Sequence, residues 1–133
     1  MKSFVKFLVI LSFSIPSSAM AAGWKTVAKK PPLLGARPHC HSGSPVLASF
    51  YYTGRVTASA ARFRPNGISV AHRSLPFGTH VTFINPSNGR SVNAVINDRG
   101  PWGRAAKIGV KFDLSLGAAR SIGMNGSQWL CVN

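Results

Sequence analysis

Acidic side chains are nearly absent from this chain of 133 residues, which carries 16 Lys+Arg against 2 Asp+Glu and a formal net charge of +14. The two acids are Asp98 and Asp113. A calcium cage of the EF-hand type needs several carboxylates in one short loop, so this kind of site is excluded. Because 45% of the residues are hydrophobic, the chain is also not a disordered basic tail.

Long hydrophobic runs are also missing. Residues 7–15 form an apolar run that is well short of the ~20 residues needed to span a membrane. The run follows two lysines, is broken by Pro16 and leads to the small-residue segment AMA at 19–21. This layout predicts a secretory signal peptide over residues 1–21. We therefore expect a periplasmic or secreted protein that has no integral membrane segment after cleavage and no lipid-anchoring cysteine.

Cysteines are limited to Cys40 and Cys131. Export would place them in an oxidising compartment, where a disulfide would join the two ends of one domain. The segment PHCH at residues 38–41 offers a metal site as the alternative. A tetrahedral zinc site needs three or four ligands, and the sequence has no second cluster to supply them. We predict a structural disulfide, and no metal or other cofactor.

The remaining pattern divides the chain into a basic, Pro-rich arm over residues 22–44 and a domain over residues 45–133. A Pro-Ser-Asn-Gly segment at 86–89 is typical of a hairpin turn. A helix is predicted over residues 114–122, with Ser115 or Asp113 as its N-cap. Short strands are predicted over residues 46–52, 68–71, 80–85, 91–97 and 128–132. About six short strands and one good helix indicate a small closed β-barrel.

Four segments in a fixed order carry a resemblance to a known family. Residues 48–51 read ASFY, residues 71–79 read AHRSLPFGT, residues 97–101 read NDRGP, and residues 113–119 read DLSLGAA. Together they resemble the rare-lipoprotein-A family of bacterial cell-wall proteins, over roughly residues 46–133. The order and spacing are specific, whereas any one segment alone would be a weak signal.

The resemblance implies a mainly β fold, a small six-stranded double-psi β-barrel with one or two short helices. It also implies an endolytic lytic transglycosylase, a lyase that cuts peptidoglycan strands between MurNAc and GlcNAc. Such enzymes use no water and leave a 1,6-anhydro-MurNAc end. The implied partner is the glycan strand, and the implied role is cell-wall remodelling.

The family's active-site pattern maps onto His72 and Asp98 as catalytic residues. Its third position is usually a glutamate in a Thr-Ala-x-Gly-Glu segment. Here residues 57–61 read TASAA, so Ala61 stands where the acid would be.

The chemistry of the residues adds further expectations. A lytic transglycosylase needs one group that gives and retakes a proton, and we expect Asp98 in this role because it opens a Gly/Pro loop at a strand end. Its alternative is to cap its own loop N–H groups. Asp113 is either a second acid or a helix cap. Aromatic and cationic side chains are candidates for stacking on sugars and for binding carboxylates. The candidate glycan-binding residues are Tyr51, Thr57, Arg73, Arg99 and Trp102.

Two other classes of function compete with the lyase. Ala61 favours a non-catalytic module that binds or loosens the cell wall. The net charge favours a basic secreted binder of nucleic acid or anionic membrane. The sequence has no recognition helix or RNA-binding aromatic motif, so we expect no specific nucleic-acid partner. We also expect a monomer.

Overall fold

A computed structural model of the chain describes residues 34–133. Within this part of the chain, six strands and two short helices follow one another. They are β1 (Ser44–Tyr51), β2 (Ser69–His72), β3 (His80–Ile84), β4 (Ser91–Asp98), α1 (Gly103–Lys107), β5 (Phe112–Ser115), α2 (Leu116–Ser121) and β6 (Gln128–Val132). The predicted signal peptide over residues 1–21 lies outside the described residues, as does most of the predicted arm.

The strands close into a barrel in the order β1-β5-β2-β4-β3-β6. The pairs β1/β5 and β2/β4 are parallel, and the other four pairs are antiparallel. If β1, β2 and β3 are exchanged with β4, β5 and β6 respectively, the order of the strands around the barrel stays the same. The parallel or antiparallel relation of each pair also stays the same. The barrel therefore consists of two interlocked, equivalent halves, in which β1 and β4 are counterparts of eight residues each. Their last residues are Tyr51 and Asp98.

Along each strand, alternate side chains point into the barrel, and most of these are apolar. Ala48, Val70, Ile96 and Leu114 each belong to a different strand, and each is fully buried. Burying a side chain of the size of valine, leucine or isoleucine contributes about 1.5–3 kcal/mol. Helix α2 adds Ala118 and Ala119 to the same cluster, along with Ile122 at its C-terminal end. This core fixes which face of each strand points outward.

One irregularity interrupts the pairing of β2 with β4. Val70 pairs with Ile96, but the next residue, Ala71, pairs with Asp98, so Asn97 is an extra residue in β4. A β-bulge of this kind redirects the side chains that follow it. Without the bulge, alternation would place Asp98 on the same face as the buried Ile96. With it, Asp98 shares the outer face with Ala71.

The hydroxyl of Ser115 joins three parts of the fold. It accepts hydrogen bonds from the backbone N–H of Ser69, at 3.1 Å, and of Ala118, at 3.4 Å. It donates one to the carbonyl of Gly67, at 2.6 Å. Ser115 is fully buried, and it is the N-cap of α2.

The helix predicted over residues 114–122 is therefore too long at its N-terminus. Residues 112–115 form β5 between β1 and β2, and α2 begins only at Leu116. The proposed capping role of Asp113 is wrong, because Asp113 lies inside this strand and Ser115 provides the cap. Strand β5 was missed because its apolar residues also fit a helical spacing. Its last residue, Ser115, is also the N-cap of α2.

The other predicted elements are confirmed. The five predicted strands are present within one or two residues of their bounds, and β3 and β4 form the predicted hairpin. The first strand begins at Ser44, one residue before the predicted domain boundary. Within residues 34–133, no helix is both long enough and apolar enough to cross a membrane.

The predicted disulfide is also confirmed. Cys40 and Cys131 are bonded; their sequence separation is 91, and their Cα atoms are 5.7 Å apart. Nearby, the Asn133 side chain donates to Ser42 Oγ at 3.1 Å. The segment before β1 is thus attached covalently and by a hydrogen bond to the end of β6.

We predict that Cys40→Ser/Cys131→Ser unfolds at a clearly lower urea concentration than the wild type. Closing a loop of this length restricts the unfolded chain, and the entropic model gives about 4.6 kcal/mol for it. Equilibrium unfolding of both proteins measures the difference, with wild type under reducing conditions as the matched comparison. Equal midpoints would show that the bond does not stabilise the domain.

Candidate active site

Both acids of the chain lie on the outer face of the barrel, on either side of β2. Ala71 pairs with Asp98 of β4 on one side and with Asp113 of β5 on the other. Neighbouring strands are spaced about 4.8 Å apart, so the two aspartate backbones are separated by about 10 Å across one strand. The structure therefore brings together the two residues that the sequence singled out as acids.

Asp98 is held by three hydrogen-bond donors. Its Oδ2 accepts from the Tyr51 hydroxyl at 2.9 Å. Its Oδ1 accepts from the backbone N–H groups of Ala58 and Arg99, each at 2.8 Å. In all three contacts the Asp98 carboxyl group is the acceptor. The predicted loop-capping role is present in the Arg99 contact, but two of the three donors come from distant parts of the chain.

Asp113 has a different environment. It is half-buried, and its Oδ1 accepts one hydrogen bond, from Ser49 Oγ at 2.8 Å. Burial raises the pKa of Asp113, and the negative charge of Asp98 raises it further, whereas the Ser49 hydrogen bond lowers it. Burial is the largest of these effects, so the net direction is upward. Asp113 therefore retains its proton to higher pH than an ordinary aspartate.

Tyr51 links the two halves of the barrel at this site. Its ring stacks on Phe63, with 4.6 Å between the ring centroids and 14° between the planes. Burial, the hydrogen bond to Asp98 and the charges of both aspartates raise the pKa of Tyr51. The phenol therefore stays protonated and acts as a donor to Asp98. Tyr51 was predicted as a glycan-binding residue, and the structure places its hydroxyl on a carboxylate.

Ser49 was not singled out as a site residue from the sequence. It precedes Tyr51 by two positions on β1, so the two side chains share one face of the strand. Ser49 also pairs with Asp113 in the parallel ladder of β1 and β5. Its position in the ASFY segment could have indicated a role in the site. Its partner Asp113 could be identified only once β5 was known.

The loop over residues 57–61 rests against the end of β4. The N–H of Ser59 donates to the carbonyl of Asn97 at 3.2 Å, beside the Ala58 contact with Asp98. Ala60 adopts φ +66°, a left-handed conformation that favours glycine. Ala61 is exposed at the end of this loop and brings no acid to the site.

Thr57 is not available as the predicted glycan contact. Its side chain is buried, with 4% exposure. Its hydroxyl donates to the carbonyl of Ala61 at 3.2 Å and lies 3.0 Å from Ser59 Oγ. Thr57 thus holds the loop together, and the alanines around it gave no indication that it would be enclosed.

His72 lies at the end of β2, and its ring packs on Phe112 at 4.7 Å between centroids. Its Nδ1 accepts hydrogen bonds from the N–H groups of Ser74 at 3.1 Å and Leu75 at 2.9 Å. Burial, and then the charges of nearby Arg and Lys side chains, lower the pKa of His72. The imidazole is therefore neutral, with its proton on Nε2.

The two predicted arginines differ in their surroundings. Arg99 Nη1 donates to the carbonyls of His72 at 3.3 Å and Leu75 at 2.9 Å, and its guanidinium lies 3.8 Å from the centroid of the Phe77 ring. Arg99 thus fixes the loop that follows His72. Arg73 is exposed.

Trp102 forms one side of the site. Its indole is 62% exposed. Gly100 lies beneath it with φ +142°, and a Cβ at Gly100 would be 3.7 Å from Trp102 Cδ1 and 3.9 Å from Ala71 Cβ. Gly100 and Ala71 are both buried, whereas the indole is exposed. An exposed aromatic ring is suited to stacking on a sugar.

Within the part of the chain that the structure describes, no three His, Cys, Asp or Glu side chains lie close enough together to hold a metal ion. His39 and His41 are neighbours, with 6.3 Å between ring centroids, but Cys40 between them is in the disulfide.

A closed barrel of two interlocked halves, with acidic residues on its outer face, places the protein in the double-psi β-barrel class. Within this class, the chain belongs to the family described as lytic transglycolase, whose model matches residues 44–132. The match covers all six strands.

Curated relatives agree with this assignment. A probable endolytic peptidoglycan transglycosylase RlpA of Nostoc sp. is 54% identical over 86 residues, which covers 61% of this chain and 22% of that protein. A protein of the same name from Synechocystis sp. is 49% identical over 84 residues, covering 61% and 25%. The endolytic peptidoglycan transglycosylase RlpA of Pasteurella multocida is 43% identical over 84 residues, covering 61% and 27%. The chain thus spans about a quarter of the length of these relatives.

We predict that Ala60→Gly stabilises the domain by about 0.5–1 kcal/mol. The left-handed conformation costs a non-glycine residue about 1–2 kcal/mol, and glycine removes this cost. Glycine also gives the unfolded chain more conformational entropy, which offsets part of the stabilisation. Thermal or urea unfolding measures the change. Ala61→Gly, in the same loop at an ordinary φ, is the matched control and should destabilise. A loss of stability in Ala60→Gly would contradict the argument.

Proposed function

We propose that this protein is an exported lytic transglycosylase that cleaves peptidoglycan strands between MurNAc and GlcNAc. The observation that carries the proposal is the pair of aspartates on either side of Ala71, one held by three hydrogen-bond donors and the other with a raised pKa. Two acidic groups in contrasting environments are suited to acid–base cleavage of a glycosidic bond. The names of the relatives support the same substrate and reaction.

In the proposed reaction, protonated Asp113 gives its proton to the oxygen that bridges the two sugars. The bond from C1 of MurNAc to this oxygen breaks, and positive charge develops at C1. The 6-hydroxyl of the same sugar attacks C1, and its proton passes to the Asp98 carboxylate. The products are a 1,6-anhydro-MurNAc end and a free GlcNAc hydroxyl. No water is consumed, and the final proton shift between the aspartates restores the starting state.

This allocation of roles reverses the expectation from the sequence, which favoured Asp98 as the acid. Three donors directed at Asp98 stabilise its anionic form, which is the form that faces developing positive charge and can take the proton of the 6-hydroxyl. Asp113 has one donor and a raised pKa, so it is the better source of a proton near neutral pH.

The remaining site residues have supporting roles in the proposal. Neutral His72 presents Nε2–H as a donor to a sugar hydroxyl, while Arg99 holds its loop. Trp102 stacks on a sugar ring, and the exposed Arg73 contacts a substituent of the glycan. Tyr51 acts through Asp98, by fixing the orientation of its carboxylate.

The disulfide supports the proposed location outside the cytoplasm, since structural disulfides form in oxidising compartments. Periplasmic or secreted location and a monomeric state complete the proposal. Both follow the expectations from the sequence.

We predict that Asp98→Asn and Asp113→Asn each lower the formation of anhydro-MurNAc ends by at least 10²–10⁴-fold, because each removes one proton-transfer step. Mass spectrometry of glycan strands incubated with purified protein measures the product. Arg120→Gln, on α2, is the control and should remain active. If wild type binds sacculi but releases no anhydro product, the domain is a binding module and the proposal is wrong.

We also predict that Asp113→Asn is at least as stable as wild type at pH 7. A carboxyl group whose pKa is raised by folding makes the folded state less stable once it ionises. This unfavourable contribution is absent below the unfolded pKa of about 4 and develops as the pH rises through the folded pKa. Unfolding of both proteins at pH 4 and pH 7 tests this. A larger stability deficit of the variant at pH 7 than at pH 4 would contradict it.

A third prediction concerns the alkaline limb of the pH profile of kcat/KM. If Asp113 is the acid, this limb reports its loss of the proton. The Ser49 hydrogen bond lowers the pKa of Asp113, so Ser49→Ala should move the limb to higher pH. Ser44→Ala, at an exposed position of the same strand, is the matched control. A limb that stays in place or moves to lower pH would exclude Asp113 as the acid.

A further inference from the structure

A polar pocket with a volume of about 140 Å³ lies near the aspartates, but neither aspartate lines it. None of the roles assigned above uses it. Its lining residues come from the segment before β2 and from the ends of β2 and β4. They are Arg62, Arg64, Gly67, Ile68, Ser69 and Asn97.

The register of β2 gives the position of this pocket relative to the site. Ser69 precedes Ala71 by two residues, so both point to the outer face, and about 7 Å of strand separates them. Asn97 is the bulge residue, and it directly precedes Asp98. The pocket therefore lies within reach of a substituent on a sugar bound at the aspartates.

The pocket presents hydrogen-bond donors with positive charge. Arg62 and Arg64 are both exposed, and each guanidinium carries five N–H donors. Asn97 also lines the pocket, and its Oδ1 is buried without a hydrogen-bond partner among the described residues. A pair of guanidiniums in such an arrangement matches the two oxygens of a carboxylate.

We propose that the Arg62–Arg64 pocket binds a carboxylate borne by a muramyl residue of the glycan. The proposal rests on the proposed function, because it assumes that the strand lies across Asp98 and Asp113. Two sources supply this chemistry. A muramyl residue without a peptide has a free lactyl carboxylate, and a residue with a peptide has the carboxylates of that peptide.

Binding of small ligands tests the pocket without requiring cleavage. Suitable probes are the GlcNAc–MurNAc disaccharide with a free lactyl group, the same disaccharide carrying a stem peptide, and a short GlcNAc oligomer that has no carboxylate. The two disaccharides lack the MurNAc–GlcNAc bond, so the enzyme cannot consume them. Calorimetry or NMR titration would compare wild type with Arg62→Gln/Arg64→Gln. Arg90→Gln/Arg120→Gln, which removes equal charge elsewhere, is the matched control.

We expect Arg62→Gln/Arg64→Gln to weaken binding of at least one disaccharide about tenfold, the effect of two exposed charge-assisted contacts. The disaccharide that is affected identifies the source of the carboxylate. Binding of the GlcNAc oligomer should not change, and the control variant should retain most of the wild-type affinity. Arg62→Lys/Arg64→Lys should recover only part of the loss, because lysine lacks the planar pair of donors.

Three results would overturn the proposal. The first is unchanged binding of both disaccharides by Arg62→Gln/Arg64→Gln. The second is an equal loss in the two glutamine variants, which would reduce the effect to net charge. The third is an equal loss for the GlcNAc oligomer, which would show that no carboxylate is involved. Failure of the proposed function is a separate outcome, because it appears as missing anhydro product in the cleavage assay whatever these titrations give.

Discussion

The position of Asp98 on the outer face of the barrel depends on one extra residue in β4. Because Asn97 is bulged out of the ladder, Asp98 leaves the inward-facing series that contains Ile96 and pairs beside Ala71. On this face it reaches the Tyr51 hydroxyl and the Ala58 N–H, and it faces the same side as Asp113. A regular strand would direct this carboxylate toward the apolar interior, where an unpaired charge is strongly unfavourable. The bulge thus reconciles a closed hydrophobic core with an acidic site on its wall.

The second organising feature is that the two aspartate side chains, Asp98 and Asp113, lie in different environments. The four hydrogen bonds that residues 34–133 give to the carboxylates come from uncharged donors, namely two backbone N–H groups, a phenol and a serine hydroxyl. Within this part of the chain, neither acid forms a direct ion pair. Their difference arises from donor number and burial, both of which the backbone fixes. Such preorganised dipoles stabilise charge without having to rearrange during a reaction.

The sequence predicted the local elements better than their pairing. Alternation and turn residues located five strands, since these signals are contained in each segment. Strand β5 was missed because the apolar spacing from Leu114 onward is also helical, and Ser115 serves both the strand and the cap. Neither the crossed strand order nor the bulge leaves a local signal, so the partners of Ser49 and Asp113 could not be foreseen. The burial of Thr57 and the loop contacts of Arg99 likewise depend on segments distant in sequence.

The disulfide also determines how the domain would respond to mechanical load. Cys131 is two residues from the C-terminal Asn133, and Cys40 precedes the first strand. A pulling force applied between residue 34 and the C-terminus would pass through the sulfur–sulfur bond and bypass residues 41–130. Strands β1 to β5, including β4 with its bulge, lie within the bypassed segment and would not transmit this force along their backbones. The geometry of the carboxylates would then be insensitive to stretching of the chain on either side of the domain.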